Sequence, residues 1–305
     1  MKRILPAIIL LPIFLVAMFH DMFLPLLHIG TIGISMIGIY ELFVMADLVK
    51  REPVTLIITE LYLVAAYIVV RSGWVMLDTG MHLSLGNMSL DIIKSGTFSE
   101  AIRKPEMAVI GGLVAILFLV NIFRSKYDRA TGLAIVMAVF ASIYAGFFVW
   151  QMTALRMLEH GKYYLVLPIA IVWIADAVAY YFGSRFGKHK LKDSVSPNKS
   201  IEGLIAAFVI TTAIIFGLNK LVQLGALTFA FGERYAFSDV KIILVSLLFV
   251  FVGFIGDMGE SLIKRAFAAK DSGNIIPGHG GVLDRFDSVI FSLPVMYYLI
   301  VWRIL

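Results

Sequence analysis

The sequence predicts an all-α, polytopic integral membrane protein with about nine transmembrane helices and a cytoplasmic N-terminus. Three observations carry this expectation. Of the 305 residues, 60% are apolar and only 15% charged, against roughly 25% charged in an average soluble domain. The apolar residues gather into stretches near the ~20 residues that a helix needs to cross a bilayer. Lys and Arg flank those stretches mainly on alternate sides, as the positive-inside rule requires.

The same arithmetic excludes whole classes. A soluble globule of this size could not bury so much apolar surface. A disordered chain or a coiled coil needs far more charge. The absence of cysteine rules out disulfides, zinc–thiolate sites, iron–sulfur clusters and thiol catalysis. The formal net charge of +5 would suggest nucleic acid in a soluble protein. Here the placement of the basic residues accounts for it, and no nucleic-acid partner is expected.

Nine spans follow in order, at about 5–19, 22–45, 54–71, 107–123, 130–150, 163–182, 203–222, 239–257 and 288–303. The first is short and follows Met1-Lys2-Arg3, like a signal peptide. No small-x-small cleavage site follows it, and His20-Asp21 leads straight into the next apolar run, so it reads as a retained span. With the N-terminus inside, sixteen of the 26 Lys and Arg residues fall on the cytoplasmic side. The bias is sharpest in residues 183–202, which hold Arg185, Lys188, Lys190, Lys192, Lys199 and His189. The chain then divides into an N-terminal part, 1–150, with five spans and an external loop at 72–106, and a C-terminal part, 151–305. The latter has four spans and cytoplasmic loops at 183–202 and 258–287. Leu90-Asp91-Ile92-Ile93 suggests a short interfacial helix within the external loop.

Ionisable residues at membrane depth are costly and mark functional sites. They concentrate in residues 257–287. Asp257, Glu260, Ser261 and Lys264 lie at i, i+3, i+4 and i+7, one face of a helix that continues the eighth span. Two carboxylates, a hydroxyl and an ammonium on one stripe suit a hard cation with a phosphate beside it. They equally suit an ordinary solvated helix end in which Lys264 pairs with Glu260. Pro277-Gly278-His279-Gly280-Gly281 cannot continue a helix, and its glycines let backbone approach a ligand as an anion-binding turn. His279 fits a turn hydrogen bond as well as a substrate contact. Asp284 and Asp287 follow at i, i+3 around Arg285, more acid than the helix dipole requires. Further upstream stand Asp176 near the end of the sixth span and the segment Ser196-Pro197-Asn198-Lys199-Ser200-Ile201-Glu202-Gly203. There Ser196 or Ser200 would cap a helix, and Glu202 would pair with Lys199. Together these describe a membrane-level pocket for Mg²⁺-dependent chemistry on a phosphate substrate.

From Ser261 to Asp287 the chain resembles the phosphatidate cytidylyltransferase (CDP-diacylglycerol synthase) family. The 27-residue pattern is matched without a gap at Ser261, Lys264-Arg265, Lys270-Asp271, Gly273, Pro277, His279-Gly280-Gly281, Asp284-Arg285 and Asp287. Asp257 resembles the family's acid just upstream. The Ser196–Gly203 segment is similar too, with Ser200 and Ile201 where the family has Thr and Trp. The resemblance covers about residues 173–303. It implies transfer of the cytidylyl group of CTP to phosphatidic acid in the bilayer, on the cytoplasmic face of a bacterial plasma membrane, with Mg²⁺ and room for a second cation. It implies metal ligation by Asp257, Asp284 and Asp287, and catalytic roles for Asp257, Lys264 and Asp284. Substrate binding would fall to Ser196, Lys199, Ser261, Arg265, Lys270, His279, Gly280, Gly281 and Arg285. A homodimer is expected on the same ground alone.

Other CTP-dependent lipid enzymes, a CDP-archaeol-type synthase or a polyprenol or phytol kinase, are the nearest alternatives. CDP-alcohol phosphotransferases need D-x-x-A-R, and Asp176-Ala177-Val178-Ala179-Tyr180 lacks the arginine. An ion-coupled transporter would hold its polar groups at the midplane and carry internal repeats, neither of which the sequence presents.

Overall fold

The computed structural model describes residues 18–78, 106–124, 128–192, 195–227, 235–275 and 280–305. The first predicted span and the interfacial helix at 90–93 lie outside these residues, apart from Met18 and Phe19.

The described chain is helical apart from one small hairpin. Its helices are α1 (Leu24–Met45), α2 (Pro53–Asp78), α3 (Glu106–Arg124), α4 (Arg129–Arg156), α5 (Gly161–Phe186), α6 (Ile201–Gln223), α7 (Asp239–Ala266) and α8 (Leu283–Val301). Six of these regions are long and apolar enough to cross a membrane: Asp21–Met45, Pro53–Val70 and α4 to α7. A shorter apolar helix runs Val109–Arg124. In α8 the acids and the arginine fall in the first five residues, and an apolar run follows. Helices thus occupy eight of the nine predicted stretches, and the protein is an integral membrane protein.

Local chemistry sets several ends. Asp128 caps α4, its carboxylate accepting from the Thr131 amide at 2.7 Å. Ser200 caps α6, accepting from the Gly203 amide at 3.1 Å. Both α4 and α6 contain a π-helical turn, at Ser142–Phe147 and Ala207–Thr211.

The chain groups into two compact units. In residues 38–147, α2, α3 and the first part of α4 pack together. Their ends meet at Glu52, a fully buried carboxylate that accepts from Arg124 at 3.1 Å, Thr131 at 3.0 Å and Thr55 at 3.3 Å. The other unit comprises Phe148–Leu305 with the described residues up to Ile37. Arg156 ties that early segment in: it donates to the Met18 carbonyl at 2.9 Å and pairs with Asp21, which Lys162 also holds at 3.2 Å. Within this unit α7 packs along both α8 and α5, and α5 packs along α6.

Helix α7 has 28 residues, about 42 Å at 1.5 Å per residue, against a hydrocarbon core of about 30 Å. Its polar stripe, from Asp257 to Lys264, falls in its last ten residues. The cytoplasmic loop expected at 183–202 is more ordered than a loop. Helix α5 runs on to Phe186, and an antiparallel hairpin follows, β1 (Lys190–Lys192) against β2 (Ser196–Ser200).

Candidate active site

The site forms where the polar ends of α5, α7 and α8 come together with β2. Close helix contact at Gly256 makes this possible. A Cβ on Gly256 would lie 2.7 Å from the Asp287 carbonyl and 3.1 Å from the Ser288 Cα, so only glycine lets α7 approach α8 this closely. One residue on, Asp257 then faces the start of α8. Ser288 joins the third helix, donating its hydroxyl to Asp176 on α5 at 2.8 Å while its oxygen lies 3.3 Å from Asp287 Oδ1. Asp176, Asp257 and Asp287 are near enough for Asp257 and Asp176 to raise the local negative potential at Asp287.

Two cations balance these acids. Lys199, at the end of β2, pairs with Asp257 and sits over the Phe254 ring, 5.1 Å from its centroid. This differs from the sequence expectation that Lys199 pairs with Glu202. Glu202 instead accepts from the Lys188 and His189 amides and from the His189 ring. On the α7 stripe, Ser261 lies 3.5 Å from Asp257, and Lys264 pairs with Glu260 one turn back. The local pair is therefore present, but Lys264 also reaches Asp284 at 2.7 Å and so links α7 to α8.

Asp284 is the centre of a second, adjoining knot. Its Oδ2 accepts from the Ser272 amide at 2.9 Å, the Ser272 hydroxyl at 3.0 Å and the Gly281 amide at 2.7 Å. Burial pushes the Asp284 carboxyl up, but the Lys264 ammonium and the two amides outweigh it and hold it below its ordinary value. Gly280 takes φ +83°, and a Cβ there would sit 2.5 Å from the Asp284 carboxylate. Gly280 and Gly281 thus lie against a carboxylate of the chain itself. Pro277, Gly278 and His279 lie outside the described residues. Arg265 lies against the carbonyls of Val195, at 3.4 Å, and Ala269, at 3.1 Å. Lys270 and Arg285 are exposed.

A cavity of about 230 Å³ opens between α5, the hairpin, α6 and α7. Its polar rim holds Asp176, Ser196, Lys199 and Asp257, and its floor is apolar, including Val172, Ala175 and Val250. Of the predicted site residues, Ser196, Lys199 and Asp257 share this cavity, with Ser261 bonded to Asp257. Lys264, Asp284 and Gly281 share the adjoining knot. Asp176 and Ser288 belong to the site as well. Asp176 was visible in sequence as an acid near a helix end, whereas nothing local distinguishes Ser288 from any other helical serine.

The donor chemistry fits a hard divalent cation: Asp176, Asp257 and Asp287 offer carboxylate oxygens, and the buried Glu260 Oε1 has no hydrogen-bond partner. Among the described residues, no three acids or imidazoles are already spaced as a closed cation cage. Lys199 pairs with Asp257, and Lys264 with Glu260 and Asp284.

A helical membrane protein with acids, lysines and a half-apolar cavity at the ends of its spans has the makings of an enzyme that works on a phosphorylated lipid. The chain belongs to the Cytidylyltransferase family, whose sequence profile matches residues 1–302. It is 31% identical over 204 residues to a phosphatidate cytidylyltransferase of Bacillus subtilis, covering 66% of this chain and 70% of that protein. A Staphylococcus epidermidis protein of the same name is 34% identical over 194 residues, 62% and 68% of the two chains. One from Staphylococcus haemolyticus is 39% identical over 141 residues, covering 46% of this chain and half of that protein.

Proposed function

We infer that the protein transfers the cytidylyl group of CTP to phosphatidic acid, giving CDP-diacylglycerol and pyrophosphate. Family membership supplies the reaction class, and the cavity carries the reading. Its apolar floor suits the glycerol and first acyl carbons of a lipid, while Lys199 at the polar rim suits a phosphate.

A phosphate oxygen of the lipid attacks the α-phosphorus of CTP. The new oxygen–phosphorus bond forms as the bond to the β-phosphate breaks, and pyrophosphate leaves with the electron pair. The lipid phosphomonoester is largely dianionic near neutral pH, with a second pKa of about 6, so no strong general base is required. The obstacle is repulsion between two anions, and cations in the site reduce it. Lys199 and Lys264 are placed to offset that charge, with Lys270, Arg265 and Arg285 on the same polar segment. Asp257 and Asp287, with Asp176 beside them and Asp284 in the adjoining knot, would hold Mg²⁺ and a second cation. Bound there, such ions supply charge stabilisation to the attacking and leaving oxygens. The basic flanks of α5, β1 and α7 support an active site on the cytoplasmic face. The polar groups gather at helix ends rather than at the midplane, which disfavours ion transport.

The test is pyrophosphate release by the purified chain in mixed micelles with CTP and Mg²⁺. Release that depends on phosphatidate, with recovery of CDP-diacylglycerol, is expected. Formation of CDP and a lipid phosphate with polyprenol or phytol in place of phosphatidate, or no pyrophosphate with phosphatidate, would overturn the reading.

A further inference from the structure

The hairpin β1–β2 carries Lys199 and Ser196 to the cavity, with β2 packed against α5 and the start of α6. Its strands have three and five residues, with an irregular register between Lys190 and Lys192. A lone two-stranded hairpin is marginally stable at best in water. A side chain as flexible as lysine gains a fixed position only from a fixed backbone.

Two carboxylate and guanidinium contacts fix it from outside. At its base, both Glu202 oxygens engage the chain entering β1. The Lys188 amide donates to Oε2 at 3.1 Å, the His189 amide is 3.2 Å from both oxygens, and His189 Nδ1 is 2.6 Å from Oε1. The Ile201 amide adds a backbone bond to the His189 carbonyl at 2.9 Å. Next to β2, Arg265 of α7 donates to the Val195 carbonyl at 3.4 Å. Glu202 itself is in the first turn of α6, where the helix dipole favours a carboxylate.

We propose that Glu202 is a positioning residue: it clamps the base of the hairpin and thereby fixes where Lys199 meets Asp257 at the cavity rim. Glu202 touches no substrate in this scheme. Arg265 holds the opposite end of the same strap. The proposal rests on the cytidylyltransferase reading only for its activity arm, because the position of the hairpin can be measured without substrate.

The chain contains no cysteine, so Lys190→Cys gives a single site on β1 for a nitroxide spin label. Three versions of the full-length labelled protein are compared in micelles, with Glu202, with Glu202→Gln and with Glu202→Ala. A glutamine keeps an acceptor oxygen for the amides, and an alanine keeps none. The expected result is an immobilised label with Glu or Gln at 202 and a mobile one with Ala. In the activity arm, displacement of catalytic groups by about 1 Å can cost up to about 100-fold. Glu202→Ala is therefore expected to lower kcat by about 10- to 100-fold, while Glu202→Gln stays within about threefold of the unaltered protein. His189→Ala removes only the imidazole contact and checks the clamp without altering position 202, with a smaller rise in label mobility expected.

A label that stays immobile in Glu202→Ala overturns the proposal, as does wild-type turnover by that variant. Loss of activity in Glu202→Gln equal to that in Glu202→Ala, with the label still immobile, would also overturn it by assigning the carboxylate a direct chemical role. If the unaltered protein makes no CDP-diacylglycerol, the functional reading fails, and the spin-label comparison still decides the clamp.

Discussion

Lys199 at the end of β2 and Asp257 on α7 form an ion pair across the rim of the cavity, 58 positions apart in sequence. This pair joins the hairpin to the acidic helix end and sets the charge that a substrate phosphate meets. Lys199→Ala and Asp257→Asn are each expected to lower kcat/KM strongly. Because the groups touch, their effects should not add, with a coupling of about 0.5–3 kcal/mol in a double-mutant cycle. Kinetics of the four proteins give the coupling, and strictly additive losses would show that the pair does not act as a unit.

Lys264 stands between the buried Glu260 and Asp284. Lys264→Met leaves Glu260 without its counter-charge, and breaking a buried pair in this way costs about 3–5 kcal/mol. Replacing both residues with methionine should restore much of that stability without restoring turnover. Denaturant unfolding in micelles checks this; equal stability of the single variant and the parent protein would argue that the pair is not desolvated.

Gly256 permits the approach of α7 to α8 that aligns Asp257 with Asp287. Gly256→Val would meet the backbone of Asp287 and Ser288, and overpacking of this kind costs about 1–3 kcal/mol. Its turnover should fall together with its melting temperature. Gly217→Ala on α6 is the control, since nothing lies within 4 Å of a Cβ there. That variant should keep full activity and gain up to about 1 kcal/mol from improved helix propensity.

Chelation of Mg²⁺ is expected to stop pyrophosphate release, and added Mg²⁺ to restore it. In Asp284→Asn, the Mg²⁺ concentration for half-maximal rate should rise by about 10- to 100-fold, the usual cost of disturbing a metal site. A normal Mg²⁺ response by that variant would remove Asp284 from the metal site and leave it as the knot that ties Lys264, Ser272 and Gly281.

Much of this was legible in the chain because its signals are local. A run of about 20 apolar residues reads as a span wherever it falls, and the i, i+3, i+4, i+7 stripe from Asp257 to Lys264 needs only helical periodicity. The Ser200 cap and the Lys264–Glu260 pair are equally short-range. The site's wider membership was not legible. Glu202 bonds His189 and the amides at the base of the hairpin, contacts that no helical spacing shows, and Lys199 pairs with Asp257. Asp176 meets Asp287 through Ser288, more than a hundred residues away, and shares the cavity rim with Asp257.

The sequence by itself determined the solvent, the helical spans and the segment rich in charge, since each depends on composition or on spacing within a few turns. The tertiary structure alone decided which of the acids and lysines share a pocket. Burial at membrane depth obliges every charge to find a partner, and which partner it finds depends on how closely α5, α7, α8 and the hairpin pack.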